Sequence, residues 1–409
     1  MRNRYHCAFR QNPMHARANE STRLCAPSLA MIRHLVSFDT TSRESNLALI
    51  DWVGTYLREH GIDSRLTFDD TGKKANLFAT IGPRTDGGIV LSGHTDVVPV
   101  DGQEWHSDPW QAVQVGDRLV GRGVCDMKSF IAIALALVPE MVERKLARPL
   151  HFALSYDEEI GCIGVRRLIA DLANVGYVPG GCIVGEPTGM ELVVAHKGKR
   201  SYVCRVRGFE SHSALTPNGV NAVEIAAEIV AHLRGMAKHH REHGRHDHDY
   251  DVPFTTIHVG TIKGGTALNI VPKDCEFRFE FRYLPFDDPD LLLREVQEHA
   301  ALFLPEMHAV SADTGITFEE LSALPGFDTG VDSAIAELGR CCNDGTVFNK
   351  VSFGAEASLF HNAGIPAILC GPGHTAQAHQ PDEWVTLEQL GLCETFLRRL
   401  IDRVSAPAA

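Results

Sequence analysis

The tightest constraint on this chain is a set of short apolar runs that each stop at an acid or a histidine. GGIVLSGH (87–94) ends at His94, RPLHFALSY (148–156) stops before Asp157, and GGCIVGEP (180–187) closes around Glu186. A strand with one wet face alternates apolar and polar residues, and these runs do not. They need cover on both sides, which helices alternating with parallel strands provide. A helix beginning near Lys128, SFIAIALALVPEMVERK, lies between the first two runs. The fold class read from this pattern is α/β, a mixed, largely parallel sheet flanked by helices. Polar groups just past the ends of such strands stand where open α/β sheets carry their sites.

Two helices precede the strands. SLAMIRHLVSF (28–38) places Leu29, Ile32, Leu35 and Val36 on one side, and SNLALIDWVGTYLREHG (45–61) starts with Ser45 as N-cap and stops at Gly61. The pattern changes after Lys197. RSYVCRVRGF, FTTIHVGTIKGG, CEFRFEFRYLP and GITFEELSAL read as strands, and NGVNAVEIAAEIVAHLRGMA and LLLREVQEHAALFL as helices. In the third strand Phe277, Phe279 and Phe281 alternate with Arg278, Glu280 and Arg282, as a half-exposed antiparallel strand requires. The order β-α-β-β-α-β predicts an α+β ferredoxin-like domain over 198–323. It is inserted into a larger domain formed by 27–197 and 324–409.

A formal net charge of −13 argues against a nucleic-acid partner, which needs a basic face. Eleven cysteines without a CxxC pair point to a reducing, cytoplasmic compartment. No apolar run approaches the roughly 20 residues of a membrane span, so no membrane partner is expected. Residues 1–26 begin with Arg2, Arg4, Arg10 and Arg17 and no following apolar stretch. They read as a disordered extension, with Met14 a candidate later start. HHREHGRHDHDYD (239–251) holds five histidines without a fixed ligand spacing and reads as a solvated loop rather than a metal site.

The residues past the strand ends carry the chemistry. They are His94 and Asp96 in SGHTDVVPV, Asp126 in GRGVCDMK, Glu158 and Glu159 in SYDEEIG, Glu186 in VGEPT and, near the C-terminal end, His379 in AHQPDEW. So many carboxylates repel one another unless a cation neutralises them. Imidazole mixed with carboxylate suits zinc, and also cobalt or manganese. His94 and Asp96 are two apart and face the same way on an extended segment, so Asp96 can take a hydrogen bond from the imidazole. Of the neighbours Glu158 and Glu159, one can bind metal while the other stays free as a base. A single His-x-Asp or DEE is more often a structural or surface feature; their recurrence at successive strand ends is the signal.

SGHTDVVP, GRGVCDMK, DEEIGCIG, GEPT and HQPDEW resemble the motifs of the dinuclear zinc hydrolases that include aminoacylase, carboxypeptidase G, succinyl-diaminopimelate desuccinylase and acetylornithine deacetylase. GEPTGMELVVAHKG and GPGHTAQAHQPDEW are most similar to the acetylornithine-deacetylating branch. Ser129 departs from the Gly that many members carry after DMK. The resemblance implies two zinc ions per chain, His94 and Glu186 on one, Glu159 and His379 on the other, and Asp126 between them. It implies Asp96 as the orienter of His94, Glu158 as general base and acid, and His212 of the insert as a group reaching the partner subunit's site in a homodimer. Asn269 and Arg282 would contact the carboxylate of a small N-acylated amino acid. The plain alternatives are a helix-capping histidine for His212 and a solvated strand face for Arg282. Rival functions are deacylation of N-acetylcitrulline or succinyl-diaminopimelate, cleavage of a dipeptide, and a non-catalytic binding protein on the same scaffold.

Overall fold

The computed structural model describes residues 24–343 and 348–405, and the chain divides into two compact units. The expected N-terminal extension falls outside the described residues up to residue 23. Residues 24–26 do not belong to it. Ala26 opens the first helix, Ala26–Val36, and the Cys25 amide donates to Glu394 Oε2 at 3.0 Å, which fixes where the chain enters the fold.

The larger unit comprises the described residues up to Ala195 with those of Asp328–Asn349 and Ala355–Ala409. Its sheet runs in the order Ser64–Phe68, Ala75–Ile81, Leu150–Ser155, Ile89–His94, Gly181–Val184, Ala367–Leu369 and Leu192–His196. The four strands from Leu150–Ser155 to Ala367–Leu369 are parallel, and the outer pairings are antiparallel. Every residue of Leu150–Ser155, Ile89–His94 and Gly181–Val184 is buried, as their unbroken apolar runs predict. Helix Lys128–Ala136 packs against Ala26–Val36 and Leu387–Ser405, while Ile163–Leu172 packs with Ala357–Asn362. The mixed α/β sheet read from the sequence is the one found.

Two local readings need correction. The helix expected to run unbroken from Lys128 to Lys145 splits into Lys128–Ala136 and Val138–Glu143. Pro139 is the cause: it has no N–H to give, and its ring crowds the carbonyl one turn back. The second helix, Leu47–Glu59, takes Asn46 as its N-cap residue. Ser45 stands one position earlier, where its Oγ accepts from the Leu47 amide at 3.2 Å and donates to the Lys73 carbonyl.

The second unit comprises His196–Phe327 and Lys350–Gly354. Its antiparallel sheet has the order Thr256–Gly264, Asp274–Tyr283, Gly198–Arg207, Gly315–Leu324. Phe277, Phe279 and Phe281 are buried with Tyr202, Ile229 and Val296, the last two contributed by helices Ala222–His243 and Pro289–Ala301. Strand order and connections are those of a ferredoxin-like layer. His239, His240 and His243 lie in the last turns of Ala222–His243 and only His246 and His248 lie beyond it, so most of the histidine tract is helical rather than loop.

Two glycines separate packing from propensity. A methyl on Gly185 would sit 2.0 Å from Cγ of Phe130, whereas one on Gly235, inside helix Ala222–His243, would meet nothing within 4 Å. Gly185→Ala should therefore cost about 1–3 kcal/mol through overpacking, and Gly235→Ala should stabilise by up to about 1 kcal/mol. Thermal denaturation of the two variants checks this. Equal melting temperatures would contradict the packing assigned to Phe130.

Candidate metal centre

The sheet brings the strand-end residues together. His94 is the last residue of Ile89–His94 and lies opposite Ser155, so the turn after Leu150–Ser155 delivers Asp157, Glu158 and Glu159 next to it. Glu186 lies two residues past Gly181–Val184. Asp126 enters just before helix Lys128–Ala136. His379 comes from the connection that follows the single turn Thr375–Gln377 and holds a left-handed φ of 62°.

Two three-residue groups result. His94, Asp126 and Glu186 form one; Asp126, Glu159 and His379 form the other, and in each the ligand atoms lie within 4.8 Å of one another. These are the groups of this kind among the described residues, and Asp126 belongs to both. Its Oδ1 is 2.9 Å from His94 Nε2, and its Oδ2 is 3.2 Å from His379 Nε2. His379 Nε2 is also 3.1 Å from Glu159, and His94 Nε2 is 4.0 Å from Glu186 Oε1. A carboxylate with one oxygen toward each histidine is suited to join two cations.

Asp96 acts somewhat differently from the simple expectation. His94 Nδ1 meets the backbone oxygen of Asp96 at 2.9 Å, while the Asp96 carboxylate is 3.6 Å away. That carboxylate accepts from Ser42 Oγ at 2.7 Å and from the Glu158 and Glu159 amides at 3.0 and 3.3 Å. It therefore holds the Glu158–Glu159 turn as well as lying beside His94. With Nδ1 turned to a carbonyl, Nε2 faces Asp126, which is how a histidine is held for metal.

The charges are out of balance in a way a cation would correct. Burial pushes the Glu186 carboxyl well above the ordinary range, and the charges of Asp126 and Glu158 add to this. Burial likewise raises Glu159, with Asp126 beside it, and brings Glu158 up to about 8 against the pull of His94. Burial opposes a charged His94, yet its bonds to Asp126 and Asp96 raise its pKa well above the usual value. Hydrogen bonds to Asp126 and then Glu159 bring His379 up to about 10. Burial works against the Asp126 carboxylate, but the hydrogen bonds of His379 and His94 lower its pKa overall. Glu186 Oε1 is buried with no hydrogen-bond partner. A buried oxygen left open beside an imidazole and a second carboxylate is what a cation would satisfy, so this residue set fits two metal ions.

Several supporting groups were not singled out from the sequence. Glu383 Oε1 accepts from the Cys125 and Asp126 amides at 2.8 and 3.1 Å, and its Oε2 pairs with the buried Arg122 at 2.7 Å. Glu356 lies fully buried, accepting from Ser92 Oγ at 3.1 Å and from Ser155 Oγ. The Cys162 thiol donates to Glu158 Oε1 at 3.2 Å. The HQPDEW stretch held the clue to Glu383, whereas the serines and the thiol looked like ordinary strand and turn residues.

His212, Asn269 and Arg282 belong to the second unit. His212 is exposed, and its Nδ1 accepts from the Ala214 amide at 3.1 Å, capping the short turn Ser213–Asn218. This leaves the proton on Nε2. The Ser213 amide donates to the Asn269 carbonyl at 3.1 Å, so His212 and Asn269 are neighbours. Arg282 Nε donates to Glu280 Oε1 at 3.0 Å along its own strand.

Residues 90–403 match the model of Peptidase family M20/M25/M40. The chain belongs to this family. An acetylornithine deacetylase of Myxococcus xanthus is 34% identical over 385 residues, covering 91% of this chain and 96% of that protein. One from Photorhabdus laumondii is 31% identical over 92% of this chain and 97% of its own length. Among solved structures, the aminopeptidase PepT of Bacillus cereus superposes with a TM-score of 0.73 at 21% identity, over 94% of this chain and all of that one. A dinuclear metal binding peptidase of the M20 family from Bacillus subtilis gives 0.67 at 15%, over 92% and 97%. Family and fold together make this M20 chain a metal-dependent hydrolase of linear amides.

Sharing of Asp126 sets a distinct pattern of loss. Glu186→Gln and Glu159→Gln should each lower the occupancy of one metal per chain, while Asp126→Ala should lower both. Metal analysis after dialysis against buffer reads this directly. Retention of one full equivalent by Asp126→Ala would show that the two groups do not share it.

Proposed function

We propose that this M20 hydrolase removes the acetyl group from N-acetylornithine, releasing acetate and ornithine in arginine biosynthesis. The observation that carries the reading is the pair of ligand groups joined at Asp126 beside a carboxylate, Glu158, that lies outside both. The substrate is supported by the deacetylases named above, which align with this chain over nearly their whole length. Two cations, which we assign as zinc with cobalt or manganese as the alternatives, would be held by His94, Asp126 and Glu186 and by Asp126, Glu159 and His379, and would supply polarisation of the acyl carbonyl and acidification of water.

The protein's own groups then divide the work. Glu158 takes a proton from the attacking water and returns it to the departing amine. Glu158 belongs to neither ligand group, which leaves its carboxylate free to exchange a proton. Asp96 fixes the turn that carries it. Asn269 and Arg282 are assigned to the substrate carboxylate, and His212, protonated on Nε2, to the developing oxyanion as a donor from the partner of a homodimer formed through the insert. Of the ten described cysteines eight are buried as small core side chains and none is in a disulfide, which fits a reducing, cytoplasmic setting. The solved relatives include peptidases, so the second reading is cleavage of a dipeptide or of another N-acyl amino acid. A panel of N-acetylornithine, N-acetylcitrulline, succinyl-diaminopimelate and dipeptides separates these; N-acetylornithine should give the highest kcat/KM, and a higher value for another member would replace it.

Glu158→Gln should keep the fold and both metals while reducing turnover at least about a hundredfold, since the amide cannot take the proton. Turnover and metal content measured on the same preparation check this. Near-normal turnover would remove Glu158 from the role of base.

Complementation addresses His212. His212→Ala leaves its own metal groups intact, and Glu158→Gln leaves its own His212 intact. After random subunit exchange half the dimers are mixed, and each has one site with both groups, so about a quarter of wild-type activity should return. If His212 serves its own chain, mixing restores nothing.

A further inference from the structure

His379 differs from the other ligand candidates. Its side chain is 50% exposed, where that of His94 is 1% exposed. It belongs to no helix or strand and holds φ at 62°, a conformation a residue with a Cβ takes at some cost. Something beyond regular structure has to hold it. Gln103 Nε2 donates to the His379 carbonyl at 3.0 Å. Gln103 Oε1 in turn accepts from Arg122 Nη2 at 2.5 Å and from Trp105 Nε1 at 3.1 Å. Arg122 is wholly buried, and its other terminal nitrogen pairs with Glu383, the carboxylate that accepts from the Asp126 amide. One continuous chain of hydrogen bonds therefore runs from the backbone of the shared ligand Asp126 to the backbone of His379.

We propose that Gln103, Arg122 and Glu383 are positioning residues that set His379 relative to Asp126, and that Gln103 controls how firmly the Asp126–Glu159–His379 group holds its metal. The proposal rests on the two-metal reading above. Glu383 and Arg122 are poor probes alone, because removing either leaves a buried charge without its partner. Gln103 is partly exposed, and Gln103→Glu keeps the acceptor for Arg122 and Trp105 while replacing the donor that faces the His379 carbonyl. A control removes a different tie on the same connection: His106, with a side chain 92% exposed, bonds Asp382 at 2.5 Å. An exposed pair of this kind contributes little.

The experiment follows zinc release from the zinc-loaded full-length chain into excess 4-(2-pyridylazo)resorcinol. Wild type should release two equivalents. In Gln103→Glu one equivalent should leave about tenfold faster or more, and the other at a rate within about twofold of wild type. His106→Ala should release both as wild type does. Unchanged release from Gln103→Glu, or equal acceleration of both equivalents, overturns the positioning role. A wild-type chain that takes up fewer than two equivalents overturns the metal reading itself, and the proposal with it.

Discussion

The candidate ligands of the larger unit are gathered around the two oxygens of Asp126. Three further carboxylates, Glu158, Glu159 and Glu186, are brought into the region of one aspartate and two histidines, and burial raises the pKa of each of the three. Such a cluster is unfavourable by itself, since like charges withdrawn from water repel strongly. It becomes favourable with cations between the groups. The fold supplies the rigidity to keep the groups in place: parallel strands buried along their whole length end together, and each contributes its polar residue at the same edge. Stability comes from the strands, and the chemistry from residues at or just beyond their ends, joined by Asp126 ahead of helix Lys128–Ala136 and His379 from a connection.

The same division explains what could be read from the sequence. Long apolar runs ending at His94, before Asp157 and near Glu186 announce both the covered sheet and the edge where ligands gather, because strand burial and strand direction leave a local imprint. Phe277, Phe279 and Phe281 announce the second unit's sheet by strict alternation. Glu383 was not legible in this way. Its function depends on accepting the amides of Cys125 and Asp126, more than 250 residues away in sequence. Glu356 shows the same difficulty: it bonds Ser92 and Ser155 from separations of 264 and 201 residues. Contacts that distant leave no periodicity or spacing to detect.

Local geometry also altered roles that the sequence suggested. The His-x-Asp spacing correctly placed Asp96 beside His94, but the shorter contact is made by its backbone oxygen, and its carboxylate is committed to Ser42 and to the Glu158–Glu159 amides. Spacing predicts direction; it does not predict which of two nearby acceptors a ring nitrogen meets. Pro139 similarly ended a helix that apolar periodicity alone would have continued. In the second unit, His212 caps a short turn and keeps Nε2 as its donor, so a structural and a chemical role are compatible in one side chain.

The central claim is that Asp126 lies between two cations. Diffraction from zinc-soaked crystals, with data collected on both sides of the zinc absorption edge, tests it most directly. Two anomalous peaks about 3.5–4 Å apart, one beside His94 and Glu186 and one beside Glu159 and His379 with Asp126 between them, are predicted. A single peak, or two peaks with Asp126 bound to neither or only one, would contradict the account.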